Sequence, residues 1–199
     1  SGLVLKSEDG GVGWTRQVSN TSRRLNGVYF VDRLRGWVVG DAGTILTSVD
    51  GGFWSPQTSG TTQRLNSVRW GGDRFLVVGE NGTALTSPNG IAWTPRTTGD
   101  TGWLRGLAYG NGRFVVTGHD GTVLTSADGG VTFQPAVIAT SAHLDAAVFA
   151  GDRFYVTGSD LVLGSSTDGV NWTLDPHLNA DGSETGIVYN GLVYFNNTL

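Results

Sequence analysis

Five copies of one short motif recur along the chain at intervals of about 40 residues. In each copy a serine is followed two residues later by Asp or Asn, then by one or two glycines and an aromatic residue. The motif residues are Ser7, Asp9 and Trp14; Ser48, Asp50 and Trp54; Ser87, Asn89 and Trp93; Ser126, Asp128 and Phe133; and Ser166, Asp168 and Trp172. Counting from the last copy through the C-terminus and on from the N-terminus gives the same interval again. A closed ring requires such a constant period, whereas an open solenoid usually ends in atypical capping repeats.

Each repeat contains four short apolar or β-branched runs separated by turn signals. In the third repeat the predicted strands are residues 104–109, 113–117, 122–126 and 131–135. The intervening Asn111-Gly112 and Asp120-Gly121 pairs are strong hairpin signals, because these residue types accept the positive φ of a tight turn. Glycine supplies 32 of the 199 residues, which agrees with a chain built from many such turns.

The repeat predicts an all-β fold, a single five-bladed β-propeller over residues 1–199 with four antiparallel strands per blade. A four-stranded meander repeated around an axis forms such blades, and ring closure protects the sheet edges from association. The predicted blades are residues 25–64, 65–103, 104–143, 144–184, and a fifth made of 185–199 together with 1–24. Pairing of N- and C-terminal strands in this fifth blade would close the ring.

The five-fold motif resembles the Asp-box, also called the bacterial neuraminidase repeat. Asp or Asn at such a position bonds to the backbone of its own turn, glycine adopts the left-handed conformation, and the aromatic residue packs between blades. We therefore assign the motif residues a structural role. None of the motif carboxylates has a second carboxylate at ligand spacing, so we predict neither a metal site nor a catalytic site there.

The longer pattern at residues 25–30, 36–40 and 43–52 resembles the propeller repeat of the photosystem II stability and assembly factor family. This resemblance covers nearly the whole chain. It implies a non-catalytic, exported binding protein, and in photosynthetic organisms members of the family help to assemble reaction-centre subunits. Propellers of that family have seven blades, whereas this repeat predicts five.

Chain direction sorts the loops of such a propeller onto two faces. One face carries the loops that lead from the fourth strand of one blade to the first strand of the next. The second-to-third-strand connections lie on the same face. The loops between blades differ in sequence from one blade to the next. Variable loops on a rigid frame usually carry recognition. The candidate partner-binding residues on this face are Arg24, Arg64, Trp103, Arg105, His119, His143 and His177. Trp103 is the sharpest candidate, because an aromatic at the channel mouth can form a protein hot spot or a platform for a sugar. Two simpler alternatives to a binding site remain. The candidates are then ordinary polar residues of exposed loops, and Trp103 fills the central channel.

On the opposite face almost every first-to-second-strand turn carries an arginine. These residues are Arg33, Arg35, Arg74, Arg113 and Arg153. An arginine beside a hairpin often covers a neighbouring aromatic ring with its stem and keeps its charge in water. The alternative is a cationic ring that holds an acidic segment of a partner. The sequence leaves open which face binds.

Charge and composition exclude several classes of function. A formal net charge of -4 and a pI near 5.2 argue against nucleic acid as a partner. The chain lacks an apolar run of the roughly 18 residues that a membrane span requires, so we predict no span. There is no cysteine, so disulfides and thiolate chemistry are excluded. The absence of methionine leads us to expect that a leader, an anchor or further domains were removed, and we favour an exported location, whether periplasmic, lumenal or extracellular.

Three functional hypotheses follow, and none requires a cofactor. The first is an exported scaffold that binds a protein, such as an accessory subunit or assembly factor of a membrane complex. The second is a lectin with one glycan site between each pair of blades, whose weak sites would add up through avidity. The third is a glycoside hydrolase of the sialidase type, which needs a carboxylate pair or a tyrosine nucleophile in a shaped pocket. Almost every residue belongs to a predicted blade, so few residues are left to shape a catalytic pocket. We therefore expect a protein without enzymatic activity.

Overall fold

The computed structural model describes residues 2–175, and these form an all-β structure. They comprise four sheets of four strands and one sheet of two strands, all antiparallel. The only helical segments within this range are two single 3-10 turns, at Asp41–Gly43 and His119–Gly121. Residues 185–199, which the sequence assigns to the fifth blade, lie outside the described residues.

The strands follow the order of the chain within every sheet. The two-stranded sheet contains β1 (Val4–Lys6) and β2 (Thr15–Gln17). Sheet 1 contains β3 (Leu25–Phe30), β4 (Gly36–Gly40), β5 (Ile45–Ser48) and β6 (Ser55–Gln57). Sheet 2 contains β7 (Leu65–Gly71), β8 (Arg74–Gly79), β9 (Ala84–Ser87) and β10 (Thr94–Arg96). Sheet 3 contains β11 (Leu104–Gly110), β12 (Arg113–Gly118), β13 (Val123–Ser126) and β14 (Gln134–Ala136). Sheet 4 contains β15 (Leu144–Ala150), β16 (Arg153–Gly158), β17 (Leu163–Ser166) and β18 (Thr173–Leu174).

Consecutive sheets pack face to face, and the hydrophobic core is divided among the spaces between them. One cluster joins sheets 1 and 2 around Val39 and Val77, another joins sheets 2 and 3, and a third joins sheets 3 and 4. The first strands of neighbouring sheets also touch, because β3 contacts β7, β7 contacts β11, and β11 contacts β15. At Gly27 a β carbon would lie 2.6 Å from the carbonyl oxygen of Asn66 in the next sheet. The first strands are therefore the innermost and the fourth strands form the outer edge.

The motif forms the turn between the third and fourth strands of each four-stranded sheet, and the turn between β1 and β2 of the two-stranded sheet. In sheet 3 the Ser126 hydroxyl donates to Asp128 at 2.7 Å, and the amide of Gly130 donates to the Ser126 hydroxyl at 2.8 Å. The amides of Val131 and Thr132 donate to the Asp128 carboxylate at 3.0 Å. The aromatic residues that follow differ in burial: Trp54 and Phe133 are buried, whereas Trp14 is exposed.

The fourth strand begins later than the sequence pattern predicts. In sheet 3 the expected strand covers residues 131–135, but β14 spans Gln134–Ala136. The amides of Val131 and Thr132 are bound to the Asp128 carboxylate and so are not available to a strand partner. The outer strands are therefore only two or three residues long in the described part of the chain.

Candidate binding site at the start of the first strands

The loops that enter each sheet meet the second-to-third-strand connection of the same sheet. The amide of Asp41 donates to the carbonyl of Arg24 at 2.9 Å, directly before β3. Sheets 2, 3 and 4 repeat this bond at equivalent positions: Glu80 to Arg64, His119 to Trp103, and Ser159 to His143. These eight residues, which we call the rim, therefore share one backbone arrangement while their side chains differ.

Inside the rim, the second residue of each first strand forms a smaller set that we call the inner ring. It consists of Asn26, Asn66, Arg105 and Asp145. In every sheet the pairing register shifts at this residue, as in a β-bulge, so it is left unpaired in the ladder. Two inner-ring side chains donate to main-chain carbonyls of the next sheet: Asn26 to that of Leu65 at 3.0 Å and Asn66 to that of Leu104 at 2.8 Å.

One half of the rim is ionic. The Nε of Arg64 lies 2.9 Å from a carboxylate oxygen of Asp41 and 3.5 Å from one of Glu80. The Asp41 carboxylate also accepts a hydrogen bond from the Asn26 side chain at 3.0 Å. This bond, followed by the charge of Arg64, lowers the pKa of Asp41 below its ordinary value. Arg24 is exposed, and its charge also contributes to lowering the pKa of Asp41.

The other half of the rim is aromatic. The ring centroids of Trp103 and His119 lie 5.2 Å apart, and those of His119 and His143 lie 4.1 Å apart, both in stacked orientation. The guanidinium carbons of Arg64 and Arg105 lie 5.5 and 5.4 Å from the Trp103 ring centroid. Such distances are within the range of cation–π attraction. Trp103, His119 and His143 thus form a column of stacked rings, and two guanidinium groups lie beside Trp103.

Arg105 links the inner ring to this aromatic half. It forms an ion pair with Asp145 of the next sheet at 3.0 Å, and its Nε donates to Nε2 of His119 at 3.0 Å. Partial burial, and then the charges of His143 and Arg105, lower the pKa of His119. The lowered pKa favours the neutral form of His119.

The rim and inner ring surround an open cavity of about 560 Å³. Its lining residues are Arg24, Leu25, Asn26, Arg64, Asn66, Trp103, Arg105 and Asp145. Guanidinium, amide and carboxylate groups dominate this lining, with one aromatic ring, so the cavity can form directed hydrogen bonds to a polar ligand. Among residues 2–175 no cluster of three His, Asp or Glu side chains is arranged to hold a metal ion.

Four of the seven residues predicted for this face line the cavity together: Arg24, Arg64, Trp103 and Arg105. His119 and His143 adjoin it through the column on Trp103, while His177 lies outside the described residues. Four residues of this site were not predicted from the sequence: Asn26, Asn66, Asp41 and Glu80. Their shared position in the repeat is the signal that could have identified them, because each rim or ring residue recurs about 40 residues later.

Of the arginines on the opposite face, Arg33 and Arg35 lie in the turn between β3 and β4, and the other three begin the second strands β8, β12 and β16. Four of them contact groups near their own hairpin: Arg35 pairs with Asp32, Arg74 with Asp73, and Arg113 and Arg153 donate to hydroxyls on the third strands. Arg33 is exposed. A cationic ring for an acidic partner therefore stays a prediction, and most of its charges are already engaged.

No family model matches the sequence, and a search of curated proteins finds no match. Among solved structures, YCF48 from Cyanidioschyzon merolae superposes with a TM-score of 0.64 at 22% identity, over 87% of this chain and 65% of that one. An ancestral GH74 enzyme gives a TM-score of 0.69 at 15% identity, over 92% of this chain and 29% of that one. The GH74 enzyme of Niastella koreensis gives 0.56 at 21% identity, over 75% and 24%.

This chain thus spans 65% of the length of the YCF48 structure and less than a third of either enzyme. Among residues 2–175 there is no helix of the length and apolar character needed to cross a membrane. The similarity to YCF48 agrees with the resemblance that the repeat shows to the photosystem II assembly factor family. The chain has a fold similar to the β-propellers of the assembly factor YCF48 and of the GH74 enzymes.

Proposed function

We propose that this chain is a non-catalytic scaffold that binds a protein partner through the rim and its cavity. The observation that carries the proposal is the rim itself. Four sheets present the same backbone arrangement, fixed by the same hydrogen bond, yet the side chains run from arginine through tryptophan to histidine. A rigid frame with variable side chains at one mouth is typical of a recognition surface.

The carboxylates at this mouth are poorly suited to hydrolysis. Asp41 and Glu80 share Arg64, and Asp145 is paired with Arg105. A general acid in a glycoside hydrolase needs a raised pKa, whereas the pKa of Asp41 is lowered. These ion pairs support a binding role, although the fold is shared with GH74 enzymes.

The proposal includes closure of the sheets into five blades, with residues 185–199 completing the two-stranded sheet. Two apolar surfaces face each other across a cavity of about 370 Å³ between that sheet and sheet 1. Leu5 is 47% exposed, while Leu46 at the same repeat position in sheet 1 is 2% exposed. Val28 and Phe30 of β3 are exposed beside it. A fifth blade completed by the C-terminal segment would cover these side chains.

The resemblance to photosystem II assembly factors supports an exported protein whose partner belongs to a membrane-protein complex. Fold similarity alone does not transfer a function, so the partner must be identified by experiment. The chain would be immobilised and used to capture proteins from a detergent-solubilised membrane fraction of its source organism. Wild type would be compared with Arg24→Glu at the rim.

Arg33→Glu is the matched control, because Arg33 is also exposed and sits at the other end of β3. We expect Arg24→Glu to reduce capture by about 10-fold or more, as removal of an interface hot spot does, and Arg33→Glu to leave it unchanged. Equal capture by all three proteins would reject the rim as the binding surface. Specific retention of a glycan on an array would replace the scaffold with the lectin, and hydrolysis of a sialoside substrate would replace it with the hydrolase.

A further inference from the structure

The column of Trp103, His119 and His143 contains two imidazoles that approach each other closely. Their centroids are 4.1 Å apart with an angle of 27° between the ring planes, and His119 lies against Trp103 at 25°. His143 is exposed at the outer end, while His119 is partly buried between the other two rings. Two neutral imidazoles can stack in this way, but two imidazolium ions at this separation repel each other.

Both imidazoles use a ring nitrogen as an acceptor. Nε2 of His119 accepts from Nε of Arg105 at 3.0 Å, and Nδ1 of His143 accepts from the amide of Asp120 at 3.2 Å. A nitrogen that accepts a hydrogen bond carries no proton, so both contacts require the neutral ring. Protonation at either nitrogen would place two donors against each other and remove that bond.

The charged groups around the column have opposite effects on the protonation of His119. Those that face the two histidines from the described elements are Arg105 on β11, Asp120 in the turn after β12, and Asp145 on β15. Arg105 disfavours a charge on His119, whereas Asp120 and Asp145 favour it. The Asp120 carboxylate lies 3.6 Å from Nδ1 of His143.

We infer that His119 and His143 form a proton-sensitive contact that controls how far Trp103 is exposed in the mouth of the cavity. While both rings are neutral, the stack covers one face of Trp103 and Arg105 is held between His119 and Asp145. When His119 binds a proton it can no longer accept from Arg105, so it releases Arg105 and the stack separates. The relevance of this opening to partner binding rests on the proposed function, but the opening itself is a property of the isolated chain.

The pH at which the contact opens follows from the environment of His119. Its pKa is lowered, so the folded chain takes up a proton there less readily than a free imidazole, whose ordinary value is 6.5. The charge on His119 that opens the column is thus gained only as the pH falls below that value. Mild acid would therefore change the surface offered to a partner while neutral pH would preserve it.

Fluorine NMR of the whole chain labelled with 5-fluorotryptophan tests the inference without a partner. The Trp103 resonance is assigned by its loss in Trp103→Phe. We expect it to move between about pH 8 and about pH 5 with a midpoint below 6.5, together with the imidazole resonance of His119, while the signals of the buried tryptophans stay in place. In His119→Gln/His143→Gln the Trp103 signal should no longer follow pH over this range.

Either of two results would overturn the inference. One is a Trp103 resonance that does not change while the His119 ring titrates in the wild type, a measurement that needs no variant to fold. The other is a Trp103 shift that persists unchanged in the double variant. Capture of a partner at neutral pH is independent of both results, so the two proposals can fail separately.

Discussion

At each Ser-x-Asp turn one side chain satisfies backbone amides that have no strand partner. Partial burial raises the pKa of Asp128, but hydrogen bonds from Thr132, Ser126 and Val131 together lower it to about 2. Asn89 occupies the same position in sheet 2 and accepts from the amides of two following residues, yet it has no charge to titrate. The chain therefore contains a titrating and a non-titrating form of the same turn.

We predict that Asp128→Ala and Asn89→Ala each reduce the free energy of unfolding by about 1–2 kcal/mol near neutral pH, because each removes a side chain that caps a turn. The pKa of Asp128 is lower in the folded chain than its ordinary 3.8, so its contribution is full above 3.8 and is lost as the pH falls toward about 2. Urea unfolding at about pH 7 and about pH 3 should show the cost of Asp128→Ala shrinking in acid while that of Asn89→Ala persists. Equal pH dependence of the two costs would contradict this account.

Glycine at the inner strands is required by close approach between sheets. A β carbon on Gly106 would lie 2.3 Å from Oγ1 of Thr117 and 2.8 Å from the backbone of Ala146. We predict that Gly106→Ala destabilises the chain by about 1–3 kcal/mol, as overpacking does, measured by urea unfolding. Gly52→Ala is the control, since the nearest atom to its β carbon is 3.4 Å away, and its cost should be smaller.

Single residues were predictable from the sequence where the chemistry is local. Asn-Gly and Asp-Gly pairs gave the hairpin turns, and Asn111, Gly112, Asp120 and Gly121 indeed have positive φ. Arg105 of the inner ring was selected from the sequence, but the arrangement of the four inner-ring residues was not predictable in this way. This arrangement depends on a register shift at the start of each first strand, and nothing in the local sequence of Asn26 or Arg105 marks a bulge.

Among the elements, the outer strands show how the sheets avoid pairing with other chains. Proline occupies the middle of β6, β10 and β14, where it pairs with leucine on the third strand. Proline lacks an amide hydrogen, so in a strand it is tolerated where that hydrogen would point outward from the edge. These outer strands are thereby poor templates for a further strand.

We predict that Pro56→Thr/Pro95→Thr/Pro135→Thr increases self-association, because three exposed edges would regain a donor. Sedimentation velocity over a range of concentrations should show larger species than the wild type. Pro88→Ala removes a proline from an exposed turn and should leave the sedimentation unchanged. A monomeric triple variant would show that strand length alone protects these edges.

The start of the outer strands was the least predictable feature at this scale. In the third repeat, the apolar and β-branched runs placed the strands to within one residue where both neighbours are strands, as in β12 and β13. Before β14, the Asp128 carboxylate accepts hydrogen bonds from the amides of Val131 and Thr132. The sequence pattern had assigned these two residues to the strand. A side chain that bonds its own backbone therefore overrides strand propensity for two residues.

At the scale of the whole molecule, the constant period predicted how the sheets follow one another. The described residues confirm an all-β chain of four-stranded antiparallel sheets with a propeller fold. The identity of neighbouring side chains around the mouth was not predictable from the period, because Arg64 and Trp103 meet only when adjacent sheets pack. Closure by residues 185–199 remains a prediction.

We predict that a chain ending at Asp175 is less stable and exposes more apolar surface, because nothing would then cover Leu3, Leu5, Val28 and Phe30. Its melting temperature should fall, and it should bind the dye ANS more strongly than the full chain. Addition of a peptide covering residues 176–199 should reverse both changes. An unchanged melting temperature, or a peptide without effect, would contradict closure by this segment.

The bond that joins each entering loop to its own sheet uses a main-chain carbonyl and a main-chain amide. Arg24, Arg64, Trp103 and His143 can therefore be exchanged for other residues without removing it, and the same holds for the residues opposite them. Evolution can alter what such a mouth recognises, one position at a time, while the folding requirements are met elsewhere. A library randomised at these eight codons should accordingly yield mostly folded members with divergent specificities.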